Sequence, residues 1–78
     1  ITVTGHTDDV PISNGQFRDN WDLGAGRAAS VVQAIQNTGL ISGDRLSAVS
    51  KGEMAPVADN NSAAGREQNR RIEIEISY

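Results

Sequence analysis

Asp19-Asn20-Trp21-Asp22-Leu23-Gly24-Ala25-Gly26-Arg27-Ala28-Ala29-Ser30-Val31-Val32-Gln33-Ala34-Ile35-Gln36-Asn37 reads as one amphipathic helix, and the fold is organised around it. Asp19 or Asn20 can cap its start, and Asp22 places a carboxylate where the helix dipole is positive. Leu23, Ala28, Val31, Val32 and Ile35 recur at helical spacing and predict one buried stripe. Gly39, just past Asn37-Thr38, supplies a left-handed stop. Gly24 and Gly26 oppose helix formation, each by up to about 1 kcal/mol relative to alanine. Either the first turn is loose, or the backbone there comes close to something.

On the upstream side, Ile1-Thr2-Val3-Thr4 alternates apolar and polar with β-branched residues, a strand that Gly5 is expected to end. A domain rarely begins in mid-strand, so at least one further element is expected ahead of Ile1. Residues 9–19 form a loop around Val10-Pro11-Ile12 and Ser13-Asn14-Gly15. Its apolar members Val10, Ile12 and Phe17 either fold back on the core or line a ligand or partner surface.

Downstream, Ser42-Gly43-Asp44 marks a turn, and Arg45 to Ser50 read as a second strand. Residues 51–69 lack a clean period, which in a small domain points to a functional or partly ordered stretch. Ser62 through Gln68 have the composition for one or two helical turns. Ile72, Ile74 and Ile76 alternate with Glu73, Glu75 and Ser77 in a final strand, expected to lie antiparallel with its apolar face buried under helices.

This order places an acid, Asp8, at the end of a strand, and an arginine, Arg27, in the first turns of the helix that follows. A sheet fixes the backbone of such a carboxylate. A guanidinium offers a rigid fork matched to a carboxylate, and free helix-start N–H groups add to its pull on anions. A ligand carrying an ammonium and a carboxylate on one carbon would satisfy both. Asn69, Arg70 and Arg71 are candidates for polar walls around it. On spacing alone, a plain Asp–Arg salt bridge is the commoner reading of such a pair; Asn20 can equally be a cap, and Arg70-Arg71 a solvated approach to the strand.

Composition narrows the classes. Seventy-eight residues make one small domain, of a size that hides only about 60% of its unfolded surface. No cysteine is present to staple it. Hydrophobic content of 37% and charged content of 22% fit a folded domain. Seven basic against ten acidic residues, net −3, argue against nucleic acid as a partner. Apolar runs are too short to cross a bilayer. An enzyme would need a nucleophile with a base, or a metal set. His6 is the single histidine, and His6-x-Asp8-Asp9 is too thin a motif for a metal. The expectation is therefore no catalysis, no cofactor and no metal, with His6 packed at the strand end and donating hydrogen bonds to the loop.

Gly5-His6-Thr7-Asp8, Asn20-x-x-Leu23-x-x-x-Arg27-Ala28 and Gly65-Arg66-x-x-Asn69-Arg70-Arg71-Ile72-Glu73-Ile74 together resemble the OmpA-like peptidoglycan-binding domain, over essentially the whole chain. The resemblance implies an α+β two-layer sandwich with helices on one face of a mixed sheet. Relative to that pattern, residues 1–78 form a single domain lacking its first strand and helix. It also implies a ligand, the diaminopimelate group of the peptidoglycan stem peptide. Asp8 would then receive the ammonium and Arg27 the carboxylate, with Thr7, Asn20, Leu23 and Arg71 nearby. The implied role is a periplasmic cell-wall anchor in a membrane-associated envelope protein of a Gram-negative bacterium, with a homodimer left open.

Within the family, the loop Asp9-Val10-Pro11-Ile12 with Phe17 and Asn20-Trp21-Asp22-Leu23 is similar to flagellar stator proteins of the MotB type, and related loops occur in type VI secretion proteins. One departure is Gly24, where the family usually has serine, which removes a hydroxyl that would help hold Arg27. A different class of function remains: a protein-interaction module of an envelope or secretion complex, using the 9–19 loop and the sheet edge.

Overall fold

Threonine and valine alternate along β1, Thr2–His6, and this strand becomes the centre of a three-stranded sheet. A computed structural model of the protein describes residues 1–77. The long helix α1 spans Asn20–Asn37 and is followed by a short 3₁₀ turn at Gly43–Arg45. Then come β2, Ser47–Gly52, a second helix α2, Ala63–Asn69, and β3, Ile72–Glu75. The sheet order is β2-β1-β3. β1 and β2 run parallel, as a strand–helix–strand crossover requires, whereas β3 returns antiparallel to β1. The expected mixed α+β architecture is therefore present.

Strand boundaries differ from the sequence reading. β1 runs through Gly5 to His6 instead of ending at Gly5; β2 is displaced by two residues, to Ser47–Gly52, with the 3₁₀ turn taking up Arg45; and β3 stops at Glu75. The reason for the first is contact. The backbone of Gly5 meets that of Gly24 on α1, and a Cβ on Gly5 would run into the Gly24 carbonyl. Here the glycine continues the strand because the helix needs its emptiness. The same contact accounts for Gly24, buried in the first turns of α1. Of the two explanations for the helix glycines, close approach is the one observed at Gly24. At Gly26 the neighbour is the Phe17 ring.

Asp19 is the cap of α1, accepting from the Asp22 amide at 2.9 Å. Gly39, with φ of +74°, follows the last turn as expected. α1 packs on β1 and β2, and the fully buried apolar side chains are Val3 and Ala28. Leu23, Val31, Val32 and Ile35 are half-buried, so the stripe is shallower than its spacing predicts. α2 forms where the low-period segment gave a weak helical signal. Ser62 caps it by accepting from the Gly65 amide at 2.9 Å.

The final strand needs a correction. Val3 pairs with Ile74 and Gly5 with Ile72, so the β3 isoleucines share the sheet face on which α1 lies. They sit at the sheet edge, however, while α1 covers the other two strands. Ile74 is 53% exposed and Ile76 55%, so alternation correctly gave the face but not its cover. No helix among the described residues is long and apolar enough to cross a membrane.

Candidate functional site

The end of β1 is pinned from three sides. The His6 amide donates to the Arg71 carbonyl at 2.9 Å, and the Thr7 amide to the Gly52 carbonyl at 2.8 Å. Arg27, reaching from α1, donates from Nη1 to the His6 carbonyl at 3.3 Å. The next residue inherits this rigidity. Asp8 is buried, and its Oδ1 accepts from the Val10 amide at 3.1 Å, turning the chain into the loop. Asn20 completes the turn by donating from Nδ2 to the carbonyls of Asp8 and Val10, at 3.3 and 3.1 Å. Its side chain therefore staples the loop, and Asp19 alone does the capping. The Thr7 hydroxyl is spent on the Asp8 carbonyl at 2.8 Å.

The other carboxylate oxygen of Asp8 faces a different arginine from the one the sequence pairs with it. Oδ2 lies 2.6 Å from Nη1 of Arg70. The Asp8 side chain is 11% exposed and that of Arg70 46%, so the acid is fixed while its partner reaches in from the rim. Beside this pair opens a cavity of about 370 Å³, walled by Val10, Pro11, Ile12 and Leu23, with Asp8, Asn20, Arg66 and Arg70 as its polar members. The loop's apolar residues thus divide their work: Val10 and Ile12 face the cavity, and Phe17 packs against Gly26 of α1.

Of the residues singled out from sequence, Asp8, Asn20, Leu23 and Arg70 meet at this cavity. Thr7, the residue before Asp8, is buried and does not line it. Arg27 is half-buried and bonded two residues before Asp8. Arg71 points elsewhere. Its Nε lies 2.5 Å from Glu73, and its terminal nitrogens donate to the Asn69 and Ala55 carbonyls at 3.4 and 3.0 Å. The hydrogen bond from Arg71 holds the Glu73 carboxyl below the usual range.

Arg66 is the residue that sequence reading did not place in the site, and Arg70, a candidate wall residue, is the one that meets Asp8. A signal for Arg66 existed, since residues four apart on a helix share a face. Asn69, a candidate wall residue, is instead fully buried. It accepts from the Val57 and Ala58 amides at 2.8 and 3.0 Å, and donates to the Ala58 carbonyl and Asn60 Oδ1 at 3.0 and 2.7 Å.

His6 is buried as expected, but the hydrogen bonds expected from it to the loop are absent among the described residues. Neither ring nitrogen has a hydrogen-bond partner there, and Nε2 makes only a 3.5 Å approach to Glu73. Burial first, and then the Arg71 guanidinium, hold its pKa below the ordinary 6.5 against an opposing pull from Glu73. Among the described residues, no three His, Cys, Asp or Glu side chains gather as a metal site.

Comparison with known proteins agrees with this architecture. The OmpA family matches residues 1–70. Motility protein B of Bacillus subtilis is 40% identical over 76 residues, covering 97% of this chain and 29% of that protein. The C-terminal domain of Helicobacter pylori MotB superposes with a TM-score of 0.88 at 35% identity, covering 99% of this chain and 58% of that one. The cell wall anchor of the type VI secretion system from Pseudomonas aeruginosa gives 0.81 at 38% identity, covering 91% and 49%. The chain thus spans under a third of the motility protein's length and carries the mixed sheet and helices of the MotB C-terminal domain. It belongs to the OmpA family.

Proposed function

We propose that this domain holds its parent envelope protein to the cell wall by non-catalytic capture of the diaminopimelate group of the peptidoglycan stem peptide. The observation that carries the reading is Asp8, a buried carboxylate fixed at a strand end, with one oxygen on a partner at the rim of an amino-acid-sized cavity. Its likeness to a type VI secretion wall anchor and to MotB supports the same role. In this reading the ligand's ammonium goes to Asp8 and its carboxylate to Arg27, which exchanges its contact with the His6 carbonyl for a two-pronged one. Thr7 and Asn20 hold the turn that presents Asp8, Leu23 supplies apolar wall, and Arg71 orders the approach to β3. The parent is a flagellar stator or a related family member, and the domain works in the wall-facing space, the periplasm of a Gram-negative cell. Each exposed ion pair contributes only about 0–1 kcal/mol, so retention depends on many anchors on one polymer.

Co-sedimentation with purified sacculi tests the reading: wild type should pellet with the wall, and Asp8→Ala and Arg27→Ala should stay in solution. Undiminished sedimentation of both variants refutes it. A protein-interaction role has its own support in the exposed Ile74 of the edge strand, Ile76 just beyond it, and half-exposed Val10. Binding to an envelope partner that survives Asp8→Ala but fails in Phe17→Ala would favour that second reading.

A further inference from the structure

The charges lining the cavity do not balance for a simple zwitterion. Asp8 brings one carboxylate, whereas Arg66 and Arg70 bring two guanidinium groups. Arg66 donates from Nη1 to the Asn60 carbonyl at 2.9 Å and has further donors left over. Arg70 gives Nη1 to Asp8. The two lie four residues apart, Arg66 within α2 and Arg70 as its C-cap. The adjacent Asn69, with every bonding capacity of its amide used, fixes that end of the helix in place.

An ammonium arriving at Asp8 Oδ2 takes the position of the Arg70 guanidinium. The released side chain, already 46% exposed, then shares with Arg66 the lining of an open, partly apolar cleft. Two like charges there call for an anion.

The geometry points to Arg66 and Arg70 as a second anion subsite, which reads a further carboxylate of the wall peptide beyond the zwitterionic end. Arg70 exchanges Asp8 for that carboxylate as the ligand's ammonium binds. Asp8 is then paired both before binding, by Arg70, and after it, by the ammonium. This inference rests on the cell-wall reading above and specifies which peptides the site prefers.

Calorimetric titration of the intact protein with two synthetic peptides tests it. One is a wall tripeptide ending in diaminopimelate with all carboxylates free. The other has the carboxylates outside the zwitterionic end converted to carboxamides, singly and together, so that the contributing group is identified. Wild type should bind the first about fivefold more tightly than the fully amidated form, and Arg70→Gln should reduce that ratio to about one. The ratio is the readout, because freeing Asp8 in Arg70→Gln raises affinity for both peptides. Arg66→Gln, whose change leaves Asp8 paired, should lower the ratio without that general rise. Equal binding of the two peptides by wild type, or an unchanged ratio in both variants, overturns the subsite. Failure of wild type to bind either peptide sinks the cell-wall reading instead, and the subsite with it.

Discussion

Asn69 and Asp8 are both buried polar side chains that tie a loop to ordered structure, and they do so in opposite ways. Asn69 is closed: four hydrogen bonds to residues 57–60 use its whole capacity, and none of it reaches water. Asp8 is half-committed. One oxygen holds the Val10 amide, and the other holds an arginine that reaches in from solvent beside a cavity. A saturated buried network specifies a fold, because any exchange leaves a donor or acceptor stranded. A pair with one exposed member can trade partners at small cost. The contrast separates the structural part of the Asn69-Arg70-Arg71 motif from the part available to a ligand, although the three residues are contiguous.

Substitutions can break that comparison. The largest effect is expected from Asn69→Ala, which strands the Val57 and Ala58 amides and should cost about 3 kcal/mol in urea denaturation. A loss below about 1 kcal/mol would mean that Asn69 is no more committed than Asp8. Gly5→Ala comes next. Forcing a methyl into the Gly24 carbonyl must separate α1 from β1, for about 2 kcal/mol by the same measurement. An unchanged midpoint would show that the helix–sheet contact is soft.

Asp8→Ala should do the reverse of Asn69→Ala. Stability should move by under about 1 kcal/mol, while affinity for muropeptides falls at least about tenfold. Arg27→Lys should weaken the same binding by about fivefold, since a point charge cannot replace a fork. Equal isotherms for wild type and Arg27→Lys would remove Arg27 from the ligand's carboxylate.

The smallest expected effect concerns His6. Its folded pKa lies below 6.5 through burial and Arg71, so the unfolded chain takes up the proton first as pH falls. Stability should be fully present above pH 6.5 and decline as the solution is acidified below it. Glu73, also depressed, keeps its contribution throughout this range and loses it only as pH falls below its ordinary 4.5. Melting temperatures between pH 7.5 and 5.5 should therefore slope in wild type and be flat in His6→Gln; parallel slopes would show that His6 is not the titrating group.

Local signals were enough for much of the fold. Asp19 and Gly39 bound α1 because a cap and a left-handed glycine act within one turn of the chain. The alternation of Ile72 to Ile76 gave a strand and the face its isoleucines share. In the site, Asp8 at the strand end could be set against the start of α1 because the β1–loop–α1 segment is continuous, whereas Asn20 and Leu23 were grouped with it by the family resemblance.

Long-range matters were different. The extension of β1 through Gly5 depends on a helix backbone nearly twenty residues away. The exposure of Ile74 depends on β3 falling at the edge of the β2-β1-β3 order. Which arginine meets Asp8 depends on the docking of α2, 62 positions along the chain.

By itself, then, the sequence determined the elements, their polarity and a carboxylate held at a strand end, since all of these arise from backbone preferences and spacing within a few residues. Only the tertiary structure decided that Arg70, and not Arg27, neutralises Asp8, and that Asn69 is locked while its neighbour faces a cavity. Charge type can be read along a chain, but the partner of a charge is set by packing between segments that are far apart in sequence.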